Sequence, residues 1–95
     1  MALYLISYDI SEKDAFEYES LWSHLKQIGA VKILYSEWIV TGPNNNASSI
    51  YNGMAALVQG KDRLLVLEVA YEAAWDKLMI SDDAFKELMR NARGA

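Results

Sequence analysis

There is no cysteine in this chain, and histidine and proline occur once each, as His24 and Pro43. Without cysteine there is no disulfide framework, no thiolate zinc site and no cysteine nucleophile, and a single histidine cannot build a histidine cluster. Basic residues are also scarce: nine Lys and Arg stand against thirteen Asp and Glu, a net charge of −4. Because phosphate binding rests on clustered cations, a nucleic-acid partner is disfavoured except at a local patch. No apolar run approaches the ~18 residues of a membrane span. The first residues, Met1-Ala2-Leu3-Tyr4, lack the basic stretch of a signal peptide. A cytoplasmic protein with no membrane partner is expected.

What is present is apolar and ordered in pattern. The chain has 95 residues, 53% hydrophobic and 12% aromatic, which fits a single globular domain over 1–95 with no linker or repeat. A domain this short buries only about 60 to 65% of the surface its unfolded chain exposes, so one layered core is the limit.

In chain order, Leu3 to Ser11 begins as a strand, since Tyr4, Leu5, Ile6 and Tyr8 suit a pleated, half-buried surface, and ends on a carboxylate, Asp9. Ser11 with Asp14, and Asp14 with Glu17, have the spacing of a helix-starting box. From there Ala15, Tyr18, Leu21, Trp22, Leu25 and Ile28 recur at threes and fours to Gly29, a natural helix stop, with His24 on the polar side. Ala30 to Thr41 reads as two short strands, or one bent strand, interrupted at Ser36-Glu37, and Gly42 to Asn46 as a loop. Ile50, Tyr51, Met54, Leu57 and Val58 predict a second helix over 47–59, stopping at Gly60. Arg63 to Ala70 is a nearly continuous apolar run, the pattern of a strand covered on both faces. After it, Ala73-Ala74-Trp75 reads as a helical turn, and Ser81-Asp82 opens a third helix with Phe85, Leu88, Met89 and Ala92 as its apolar stripe.

Strand, helix, strand, strand, helix, strand predicts an α+β fold, a ferredoxin-like βαββαβ sandwich: an antiparallel sheet with two helices on one face over about 2–70, followed by a C-terminal helical extension over 71–95. The other face of the sheet is then open in a monomer. The extension can cover it, or reach a partner subunit.

Tyr8-Asp9-Ile10-Ser11 at the end of the first strand, and Tyr35-Ser36-Glu37-Trp38 later, resemble the Cas-two family, the small ferredoxin-like subunit of CRISPR adaptation systems. A closer likeness is to short, SinR-like bacterial proteins of the same superfamily, carried by Ser7-Tyr8-Asp9, Ser36-Glu37-Trp38, Asp62-Arg63-Leu64-Leu65-Val66 and Ala73-Ala74-Trp75. The resemblance implies a ferredoxin-like fold and a two-fold dimer. Cas-two proteins carry basic residues after the aspartate, whereas this chain has Glu12, Lys13, Asp14, Glu17 and Glu19, which argues against DNA binding and a CRISPR role.

Asp9 is the candidate catalytic and metal-binding residue. Paired across a dimer, two such carboxylates can hold Mg²⁺ or Mn²⁺ and activate water against a phosphodiester; alone, Asp9 more simply accepts backbone hydrogen bonds where strand turns into helix. Tyr8, Tyr35 and Trp38, with Tyr4, are candidate binding residues, a stacking platform for single-stranded RNA. Core or dimer packing explains them better, because no basic residues are interleaved. His24 fits a general base or a solvated side chain. Glu68 inside an apolar strand must be paired, protonated or at an edge. Asn44 to Asn46 can bind a ligand or simply turn the chain. The expected function is a small homodimeric interaction domain without required cofactor, with a metal-dependent nuclease and an RNA-binding module as alternatives.

Overall fold

Alternation along the first strand sets the two faces of the sheet. The computed structural model describes residues 2–9, 15–42, 45–58, 62–69 and 73–94, with the side chains of 15–18 and 92–94 excepted. The expected helix-starting box over 11–14 and the helix stop at Gly60 lie outside the described residues. The elements are β1 (Leu3–Asp9), α1 (Ala15–Gln27), β2 (Val31–Leu34), β3 (Glu37–Thr41), α2 (Ala47–Ala55), β4 (Arg63–Val69) and α3 (Asp82–Gly94). The result is a small α+β fold, a four-stranded antiparallel sheet in the order β2-β3-β1-β4 with three helices.

β1 lies inside the sheet because both its edges are paired, with Ile6 opposite Trp38 of β3 and Val66 of β4. Its even residues Tyr4, Ile6 and Tyr8 point to one face, where they pack with Trp38 and Val40 beneath Leu21 and Leu25 of α1 and Ile50 and Met54 of α2. Two short strands form between the helices, and the break falls at Tyr35-Ser36, so Glu37 already belongs to β3.

The ends of the helices follow from local chemistry. After α1, Gly29 takes φ +86, and the amides of Gly29 and Ala30 donate to the carbonyls of Lys26 and Leu25 at 3.1 and 3.0 Å, a Schellman closure that glycine permits. At the start of α2, Asn46 is the N-cap. Its Oδ1 accepts from the Ser49 amide at 2.8 Å, while Ser49 Oγ accepts from the Asn46 amide at 3.1 Å. α2 ends at Ala55 rather than at 59, because the Leu57 amide bonds back to Met54 O at 2.8 Å and tightens the last turn, which brings Leu57 against the core.

The two helices approach closely where Gly53 faces His24. A Cβ placed on Gly53 would lie 2.7 Å from His24 Nε2. His24 is therefore half-buried against α2, not merely solvated on a polar face. Gly53→Ala should gain the ~0.5–1 kcal/mol that alanine brings to a helix interior only in a His24→Ala background. In the native background the displaced imidazole should cancel or reverse that gain. Denaturant titrations of the four proteins should give a coupling of ~1 kcal/mol; additive effects would contradict the contact.

Part of the odd face of the sheet is covered by the chain's own extension. Leu3, Ile33 and Ile39 are buried under Phe85 of α3, with Leu5, Val69, Trp75, Leu78, Ile80, Leu88 and Met89 packed around them. The segment at Ala73-Ala74-Trp75 is irregular, not a helical turn. Trp75 is held from the side, its ring centroid 4.6 Å from that of Phe85 and its Nε1 donating to Asp82 Oδ1 at 3.1 Å. The Met79 amide donates to Ile33 O at 2.9 Å, so the extension also caps the edge of β2. No described helix is long and apolar enough to cross a membrane.

β4 departs from the sequence expectation. Its apolar run suggested cover on both faces, yet it is an edge strand, paired with β1 alone among the described residues, and Leu65 is 53% exposed. α3 covers the half of the odd face near Leu3, Ile39 and Val69. The other half, where Ser7 and Asp9 stand opposite Leu65 and Arg63, is left open.

Candidate functional site at the end of the first strand

Tyr8 and Asp9 are adjacent in sequence, and strand alternation sends their side chains to opposite faces. Tyr8 is buried beneath α1, whereas Asp9 is exposed on the open half of the odd face. The candidate binding and catalytic residues therefore form two places, not one.

On the helix-covered face, the Tyr8 hydroxyl joins three segments. Trp22 Nε1 and Trp38 Nε1 both donate to it, at 2.9 and 3.2 Å, and it lies 3.5 Å from Tyr35 O as a donor. The Tyr8 amide also donates to Ser36 O at 3.2 Å, tying the end of β1 to the β2–β3 turn. Trp38 is 2% exposed, so its indole N–H depends on the phenol oxygen for its partner. Tyr4, Tyr8 and Trp38 are all buried, while Tyr35 is 83% exposed. Packing accounts for the first three. Trp22 was legible only as part of an apolar helical stripe; its hydrogen bond to a residue 14 positions away has no local sequence signal.

On the open half, Asp9 faces Arg63 across the β1–β4 ladder, with Oδ2 3.7 Å from Arg63 Nη1 and the two side chains 72% and 84% exposed. A loose pair in water contributes well under ~1 kcal/mol. Beside it, Ser7 Oγ donates to Glu37 Oε2 at 2.7 Å. Ser7, Tyr8, Asp9, Arg63, Leu64 and Leu65 line a shallow cleft of about 160 Å³. That is below the ~300 Å³ at which small-molecule pockets begin.

No protein-family model matches this chain. Among the described residues no group of three or more His, Asp or Glu side chains is placed to hold a metal ion. Asp9 beside a guanidinium is a single carboxylate, which does not by itself make a donor set for Mg²⁺ or Mn²⁺. The remaining candidates resolve into structure. Glu68 is exposed on β4 opposite Tyr4, at a sheet edge where its charge stays in water. Asn46 is a helix cap, and Asn45 Nδ2 reaches Thr41 O at 3.5 Å. Asn44 lies outside the described residues.

Proposed function

We propose that this chain is a small, cytoplasmic interaction domain of Cas-two-like, ferredoxin-like architecture that acts as a homodimer and carries out no catalysis of its own. The ferredoxin-like reading is supported by the strand order, which from the β4 side runs 4-1-3-2, and by two crossovers, β1-α1-β2 and β3-α2-β4, whose helices share one face. The observation that carries the homodimer is Leu65, 53% exposed on an edge strand next to the half of the sheet that α3 leaves open. Exposed apolar edges invite pairing, and an identical chain offers the same surface in return. Light scattering at micromolar concentration should give twice the 10.7 kDa chain mass. A monomer at that concentration would sink the proposal.

A second reading, a nuclease dependent on Mg²⁺ or Mn²⁺, draws on the exposed Asp9 carboxylate, which shares this open half, so that a second copy seated there can bring its own Asp9 near. Single- and double-stranded RNA and DNA incubated with either ion test it. Cleavage abolished by Asp9→Asn supports this reading, and no cleavage by the native protein removes it.

A further inference from the structure

A separate cleft opens at the opposite edge of the sheet from β4, between α1 and β2. It is an open groove of about 400 Å³, lined by Trp22, Lys26, Ala30, Val31, Lys32 and Trp38, and its volume falls within the ~300–1,000 Å³ of small-molecule sites. Trp22 and Lys26 are one helical turn apart, so they project from the same side of α1. Lys32 Nζ lies 4.1 Å from the centroid of the Trp22 ring and 5.9 Å from that of Tyr35. The walls are fixed in advance: the indole N–H groups of Trp22 and Trp38 both donate to the Tyr8 hydroxyl, at 2.9 and 3.2 Å.

The charge of the cleft runs against that of the chain. The protein carries a net −4, yet among the described lining residues Lys26 and Lys32 are the charged side chains and none is a carboxylate. A cation over an indole is by itself a packing contact. It does not account for the second lysine, nor for Tyr35, 83% exposed beside the first. Two ammonium groups match a phosphate monoester, which carries between one and two negative charges at neutral pH. An exposed aromatic ring beside them is a surface on which a planar group stacks.

We propose that this cleft binds a small phosphate monoester carrying a planar ring, the chemistry of a nucleoside monophosphate. Lys26 and Lys32 take the phosphate and Tyr35 takes the ring. The site lies on a single chain, away from β4, and does not depend on the dimer.

The three tryptophans make the test internal, since Trp22 and Trp38 line the cleft while Trp75 packs on Phe85 on the other side of the sheet. The full chain, labelled with nitrogen-15, is titrated with adenosine 5′-monophosphate while the indole N–H signals are followed. The signals of Trp22 and Trp38 should move and saturate, and that of Trp75 should stay. Lys26→Met and Lys32→Met keep an apolar stem and should each weaken binding ~tenfold, as should Tyr35→Ala or the use of adenosine or inorganic phosphate alone. The proposal is overturned if nothing saturates below about 5 mM, weaker than millimolar affinity. It is equally overturned if all three indoles move together, if adenosine binds as well as the monophosphate, or if both lysine variants bind like the native chain.

Discussion

Phe85→Ala is expected to lower stability by ~3–5 kcal/mol, the range for removing a buried phenylalanine ring. Phe85 is 6% exposed and sits where α3 meets Leu3, Ile33 and Ile39. Its loss opens a cavity that the sheet cannot close and also removes the ring on which Trp75 rests. Small domains are stable by about 5–15 kcal/mol in total, so this single change removes about three-fifths or more of the total at the low end of that range. A Tm fall of at least ~12 °C should accompany it. The effect also tells whether α3 acts within its own chain. Cover in cis predicts the same loss at every protein concentration, whereas an α3 that served a partner would give a loss that shrinks as concentration rises. A change under ~1 kcal/mol would mean that the odd face is not held by α3.

Tyr8→Phe should be nearly as damaging, although it removes a single oxygen. That oxygen accepts from two indoles, and Trp38, 2% exposed, then loses the acceptor its buried N–H uses. An unsatisfied buried donor costs about 1–3 kcal/mol, and the lost bond from half-buried Trp22 adds to it, for ~2–4 kcal/mol in all. The same change at Tyr51, an exposed ring on α2, should alter stability by less than ~0.5 kcal/mol. Denaturant midpoints of the two variants check this directly. If Tyr8→Phe matched Tyr51→Phe, the phenol would not be the link between α1, β1 and β3.

How much of this was legible in the sequence depends on how far each feature reaches along the chain. Helix and strand identities rest on neighbours within a few positions, so the spacing of Leu21 and Leu25, the stop at Gly29 and the third helix with Phe85 in its stripe could be read directly. The helical period runs past the end of α2 because Leu57 fits it yet turns back on Met54 through a tightened bond. The cap at Asn46 sits in a run of loop-forming Gly, Pro and Asn that hides it, although Asn46 and Ser49 have a capping-box spacing. β4 misled more seriously. An unbroken apolar run looks the same whether a strand is covered on two faces or lies at an edge awaiting a partner.

Of the candidate site, the parts were visible but not their division. Period-two alternation alone implies that Tyr8 and Asp9 part company, which separates the buried phenol from the carboxylate. The Tyr8–Trp22–Trp38 junction and the pairing of Asp9 with Arg63 depend on which strands become neighbours, which no local pattern states.

The most direct measurement is sedimentation equilibrium of the native chain beside Leu65→Lys, a substitution at a half-open position that leaves both clusters of buried side chains intact. The homodimer proposal predicts a dimer for the native chain at micromolar concentration and a monomer with unchanged circular dichroism for Leu65→Lys. A native monomer, or a dimer that Leu65→Lys leaves equally tight, would contradict it.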